Sequence, residues 1–373
     1  HGALQRIDLR ELPAHAPQWT QTALSNNDFA VAQRQQRAAA NARATAWLHG
    51  HIRHVVFILR ENKTFDEDLG AYAAGRWADP ALDLYGPREL PNLYRMASQG
   101  ALFVNFRADG EVTSQGHQWT TAGSDSDFVQ RTWPLYYSNR GYIANSGWTQ
   151  SLAPGARGAR NPYAIYKNLS ALGHWSNPWI TYPARLFLFN DLLAHGVSFE
   201  DFGEFASRNK IGAISPALRA HLAMDYPAWD RLILDTDRAK VVDTWLQHHP
   251  LPRVLYIWLP DDHTAGHHAC LPTPDSYVAN NDLATAQVLH SLSEQPGWKH
   301  TLVLLTEDDA QSGADHIDAH RTFAVAAGPW VKPGVLMTQR LSQVDLLRTI
   351  EAVAVIPPMR SEEHTSELQS PNT

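Results

Sequence analysis

The sequence predicts an α/β fold with a mainly parallel central sheet, helices on both faces and a cap over one end. Two observations carry that prediction. Apolar, β-branched runs such as HVVFILRE (54–61) and RVLYIWLP (253–260) show no polar face, as strands covered on both sides do. Helical patterns separate the later runs, the alternation that makes parallel sheets. The core is large: 44% of the 373 residues are hydrophobic, and 13 Trp, 12 Tyr and 12 Phe exclude a disordered chain.

Residues 1–50 read as a lead-in arm whose one helix, Phe29 to Leu48, lies in an Ala/Gln/Arg-rich stretch. The first strand is His54 to Glu61, and Ala101 to Phe106 gives a shorter one. From about 134 to 215 the chain is rich in Gly, Pro, Asn, Trp and Tyr with weak periodicity, which predicts the cap; Val197 to Phe202 is strand-like within it. A helix over Asp237 to His248 precedes the strand Arg253 to Pro260, and a helix over Tyr277 to Leu292 leads to the strand His300 to Thr306. A further strand, Thr322 to Ala327, stops at Gly328-Pro329. The last helix, Ser342 to Val355, sets Leu346, Leu347, Ile350 and Val353 on one face. Residues 51–359 thus form one domain. Arg360 to Ser370 reads as a translated sequencing adapter, so 360–373 is set aside as an artefact.

Lys plus Arg number 31 against 38 Asp plus Glu, a net charge of −7 that argues against non-specific nucleic-acid binding. No apolar run approaches the roughly 20 residues needed to span a bilayer. The single cysteine, Cys270, excludes an internal disulfide and a cysteine-only metal site, and is expected to be a small buried hydrophobe. The 19 His are a high load of imidazole.

In such a sheet ligands bind beyond the carboxyl ends of the strands. There the first strand delivers Glu61-Asn62-Lys63, and the second delivers Asp261-Asp262-His263. The third delivers Glu307-Asp308-Asp309, followed by Asp315-His316-Ile317-Asp318-Ala319-His320. Like charges in one cleft resist ionisation, and one or two divalent cations are the simplest compensation. Mixed oxygen and imidazole donors suit Zn, Mn, Fe or Ca. Asp109 to Trp119 holds Thr113 and Ser114 ahead of a helical stretch that begins near Gln118. A hydroxyl there is either a nucleophile or a plain N-cap, and spacing does not choose. His267 and His268 read as surface residues of a Gly-containing loop, and Glu204 follows a strand where a cleft residue would stand, with no role assigned.

These residues resemble the bacterial phosphoesterase family that includes phosphatidylcholine-type phospholipase C and an acid phosphatase, within the alkaline phosphatase superfamily. The resemblance is carried by HVVFILRENKTFDEDLG (54–70), DGEVTSQGHQWTTA (109–122), LPDDHTAG (259–266) and TEDDAQSGADHIDAHR (306–321). It implies an alkaline-phosphatase-like sandwich. It is strongest to phosphoesterase domains that follow a β-propeller through a segment similar to HGALQRIDL (1–9), so an N-terminal propeller is expected to be missing from this chain.

The resemblance makes Glu61 and Asn62 the first metal-binding pair, and Asp308 and Asp309, with Glu307, the acidic residues that complete that site. Thr113 falls at the nucleophile position, and His117 is assigned to the phosphate or the leaving group. Asp262, His263, His316 and His320 resemble ligands of a second metal or groups facing the phosphate. Lys63 and Arg321 are candidates to bind the non-bridging oxygens; ion pairing with the acidic clusters is the equal alternative. Two departures stand out: Asp261 where relatives carry Asn, and Thr113-Ser114-Gln115-Gly116-His117 where they carry Ser-Ala-Asp-Gly-His.

The implied activity is metal-dependent hydrolysis of phosphoric mono- or diesters through a phosphothreonine, phospholipase C-like or acid-phosphatase-like. The implied substrate is a small phosphoester or phospholipid headgroup, and the implied location periplasmic, envelope or secreted. The alternative is a non-catalytic envelope or surface binding protein carrying a degraded phosphoesterase domain. Loss of Thr113 or of the Asp308-Asp309 pair would favour it, and both are present.

Overall fold

A computed structural model describes residues 8–26, 31–137, 183, 187–204, 216–227, 229–311, 313–315 and 318–359. Most of the expected cap, residues 1–7 of the expected junction segment 1–9, His316 and the 360–373 tail lie outside the described residues.

The expected α/β architecture is present. The central sheet has the order β3 (Phe199–Phe202), β4 (Val254–Trp258), β1 (His54–Arg60), β5 (Thr301–Glu307), β6 (Arg321–Ala327), β2 (Ala101–Arg107), β7 (Val335–Met337), with β8 (Leu341–Ser342) also on β2. β1 lies parallel between β4 and β5, in register Val55 to Val254 and Val55 to Leu302. Among the described strands β6 alone runs the other way, antiparallel to both β5 and β2. The carboxyl ends of β1, β2, β3, β4 and β5 therefore share one edge.

Alternation along β1 explains its unbroken apolar run. Val55, Phe57 and Leu59 enter one core with α8 (Leu188–Ala194) and α11 (Gln343–Ala354). Val56 and Ile58 enter another with α5 (Pro91–Gln99), α9 (Asp235–His248) and α10 (Pro274–Ser293). Every one of these β1 side chains is at most 1% exposed, and each full burial is worth about 1.5–3 kcal/mol.

The lead-in holds two helices where one was expected: α1 (Leu12–Asn26), with Pro17 inside it, and α2 (Val31–His51). Three more helices follow: α3 (Phe65–Leu69), α4 (Gly86–Glu89) and α7 (Asp127–Tyr136). α6 (Thr113–Ala122) starts five residues before Gln118, on Thr113 itself. Cys270 is exposed, against the expectation of a buried thiol, because its loop between β4 and α10 packs under neither core. No helix among the described residues is long and apolar enough to cross a membrane.

Candidate active site

The site starts where β1 ends. Asn62 adopts φ +66°, a left-handed turn that Asn tolerates better than most residues. Its N–H donates to Asp308 Oδ1 at 2.9 Å, and the Glu61 N–H donates to Asp262 Oδ1 at 3.0 Å. The backbone of this pair is thereby tied to the neighbouring β5 and β4 ends.

α6 brings the hydroxyl. Its N-cap is Val112, which has no side-chain cap, so Thr113 is the first helical residue and its hydroxyl caps nothing. Thr113 Oγ1 instead donates to Asp309 Oδ2 at 3.1 Å and lies 3.3 Å from the Asn62 amide. Close approach depends on Gly116: a Cβ there would stand 2.1 Å from the Asp308 carbonyl oxygen. One turn on, His117 Nε2 lies 3.0 Å from Glu61 Oε1 and 3.8 Å from Asp308 Oδ2. Trp258 Nε1, at the end of β4, also donates to Glu61 Oε1, at 2.8 Å. Thr113 is 7% exposed, whereas Asp308 and Asp309 are at 0%, so the acidic pair lies deeper than the threonine.

The electrostatics are strained. Burial, then Asp309 and Glu61, push the Asp308 carboxyl well above the usual range; burial and Glu61 raise Asp309 to about 7. Burial opposes an imidazolium at His117, yet Glu204 and Glu61 outweigh it and raise this group well above its ordinary value. Asp308 Oδ2 and Asp309 Oδ1 are buried without a hydrogen-bond donor among the described residues. Orphaned carboxylate oxygens normally have a partner, and a divalent cation fits here. Glu61, His117 and Asp308 offer ligand atoms all within 4.8 Å of one another, a donor set suited to Zn, Mn or Fe.

Other candidates from the sequence stand elsewhere. Asp262 and Glu307 face the fully buried Arg60, whose Nε lies 2.9 Å from Asp262 Oδ2 and 3.3 Å from Glu307 Oε1. Asp68, on α3, closes that cluster at 3.2 Å from Arg60 Nη2, and burial raises its carboxyl to about 8. His263 sets its ring edge-on against Trp229, with centroids 4.7 Å apart. His320, part-exposed, lies 3.7 Å from Asp318 and 4.0 Å from Glu111. Lys63 lies 3.9 Å from Glu67 Oε1 and over the Tyr85 ring; burial opposes its charge, but Glu67 prevails and its pKa rises to about 12. Arg321 donates to Asp66 Oδ2 at 2.6 Å and to the Trp77 carbonyl. These two cations thus anchor α3. His316 lies outside the described residues.

Two contributors had no role in the sequence reading: Trp258 and Glu204, whose Oε2 is 2.7 Å from His117 Nδ1. Position after a strand flagged Glu204 as a cleft residue; nothing in sequence paired it with His117, 87 residues away.

Several solved structures are similar to the chain at low identity. One is a protein in the alkaline phosphatase superfamily from Vibrio parahaemolyticus, with 15% identity over 85% of this chain and 70% of that one, TM-score 0.48. Another is the PsFucS1 sulfatase from Pseudoalteromonas sp., with 11% identity over 88% and 73%, TM-score 0.49. A third is the C-terminal periplasmic domain of EcEptC from Escherichia coli in complex with Zn, with 11% identity over 84% and 88%, TM-score 0.42. No curated protein matches the chain. The model of the phosphoesterase family matches residues 52–357, from just before β1 to just past the last helix and including every residue of the acidic site, and the chain belongs to that family.

Proposed function

We propose that this protein hydrolyses phosphoric esters in a cation-dependent reaction with Thr113 as the nucleophile. One observation carries the reading: a hydroxyl on the first turn of α6, free of any capping duty, is hydrogen-bonded to one of two buried carboxyls that each keep an unpartnered oxygen. Family membership supports it.

Glu61, Asn62, Asp308 and Asp309, with His117 Nε2 beside them, would hold the cation. Bound there, it would supply positive charge that offsets the phosphoryl oxygens and favours the deprotonated hydroxyl. Asp309 Oδ2 is placed to take the Thr113 proton. Thr113 Oγ1 then attacks phosphorus in line, forming a P–O bond to threonine while the ester P–O bond breaks and the leaving oxygen takes up a proton. At the start of α6 the Gln115 and Gly116 N–H groups donate to the Val112 carbonyl and the Ser114 N–H to the Tyr137 hydroxyl at 3.3 Å, so the helix offers the phosphoryl oxygens the positive end of its dipole rather than a set of free donors. Water attacks the phosphothreonine, breaks its P–O bond and restores the hydroxyl. The family resemblance extends the proposal to phospholipase C-like or acid-phosphatase-like substrates and to an envelope or secreted location.

The test is hydrolysis of para-nitrophenyl phosphate, its bis-ester and the phosphorylcholine ester by protein loaded with Mn²⁺ or Zn²⁺. Turnover that needs the cation and is lost in Thr113→Ala and Asp308→Asn supports the reading, and the preferred ester separates monoesterase from diesterase. Folded, cation-loaded protein that turns over none of them would favour the non-catalytic alternative.

A further inference from the structure

We propose that Glu204 is a positioning residue of the cation site, acting through His117. The inference rests on the reading of Glu61, His117 and Asp308 as cation-binding and adds the group that orients the imidazole.

Glu204 is held in place by its own sequence neighbours. β3 ends at Phe202, and Gly203 follows at φ +100°, a conformation that L side chains rarely adopt. A Cβ on Gly203 would also stand 2.8 Å from the Tyr226 ring, whose hydroxyl donates to the Trp258 carbonyl at 2.7 Å. The Glu204 N–H donates to Asp201 Oδ1 at 3.1 Å, closing the turn. Asp-Phe-Gly-Glu (201–204) therefore bends the chain back over the strand end and delivers a carboxylate at 1% exposure, 2.7 Å from His117 Nδ1.

An imidazole held at Nδ1 has one remaining nitrogen and a fixed ring plane. Here Nε2 is directed at Glu61 Oε1 and towards Asp308 Oδ2, the donors of the cation group. The Trp258 ring meets the imidazole edge-on, centroids 5.3 Å apart, and limits its swing. A carboxylate behind a histidine that faces a metal fixes its orientation, and loss of such a partner costs about 10–100-fold in metal affinity. Glu204 does this from the turn after β3, 87 residues along the chain from His117.

The test measures Mn²⁺ and Zn²⁺ affinity by calorimetry on the full chain, alongside thermal unfolding. Glu204→Ala is expected to weaken cation binding about 10–100-fold. Glu204→Gln, which keeps an acceptor for Nδ1–H, is expected to restore most of that loss. Glu204→Leu fills the space without an acceptor and carries the same expectation as Glu204→Ala should the latter fail to fold. Folded Glu204→Ala or Glu204→Leu that binds cation as tightly as wild type overturns the positioning role alone. Wild-type protein that binds neither cation overturns the cation site itself and this role with it.

Discussion

The α-carbon of Gly116 rests on the backbone of Asp308, so close that a Cβ would lie 2.1 Å from the Asp308 carbonyl oxygen. This contact seats α6 against the end of β5 and lets Thr113 and His117 reach the acidic pair from one helix face. The obstruction is main chain, which cannot swing aside as a side chain would. Gly116→Ala is therefore expected to destabilise the fold by about 1–3 kcal/mol in urea unfolding and to lower cation affinity. Gly50, in α2, has nothing within 4 Å of its would-be Cβ. Gly50→Ala should cause no loss, and equal damage in both variants would show that the helix seating is not the cause.

Glu307 and Asp308 are consecutive yet serve different neighbours. Glu307 lies 3.3 Å from Arg60, whereas Asp308 lies in the Thr113 site. Burial and then Asp262 push the Glu307 carboxyl well above its ordinary value, so its protonated form resembles Gln. Glu307→Gln is expected to bind cation as wild type does, with Arg60 keeping Asp262 and Asp68 as ion-pair partners. Asp308→Asn should lose cation binding by calorimetry. Equal loss in both would place Glu307 among the ligands.

A pH effect on stability is expected at the sheet edge. Glu200, on β3, is raised from 4.5 to about 7, by burial and then by Asp225. Between those values the folded chain holds a proton that the unfolded chain has released. Its stabilising contribution is full below 4.5 and is lost as pH rises through about 7. Glu200→Gln cannot ionise, so it should match wild type near pH 4.5 and exceed it in thermal unfolding near pH 8. Identical curves at both pH values would contradict this.

The strands were legible because burial on both faces leaves its mark locally: residues 54–60, 254–258 and 301–307 carry apolar runs whichever way they face. The start of α6 was not, because Thr-Ser-Gln-Gly is weak helix-forming sequence; its packing on Asp308 holds it helical. Clusters of acid after each strand showed which edge carries chemistry. They could not show which member faces the site, because strand alternation stops at Arg60 and Glu307 and the chain beyond turns, with Asn62 at φ +66°, so that both members of Glu61-Asn62 and of Asp308-Asp309 face it. Hence Glu61, Asn62, Thr113, His117, Asp308 and Asp309 converge, while Asp262 and Glu307 turn to Arg60. Arg60 gave no warning of this, as a single cation at the end of an apolar strand reads as a solvated terminus.

The claim that Thr113 attacks phosphorus is tested most directly by acid-quenching cation-loaded protein during turnover of para-nitrophenyl phosphate and mapping phosphorylation by mass spectrometry. A phosphoryl group on Thr113, absent without cation and absent in Asp308→Asn, is the predicted result. Turnover at the wild-type rate by Thr113→Ala, with no phosphorylated peptide in either protein, would contradict it.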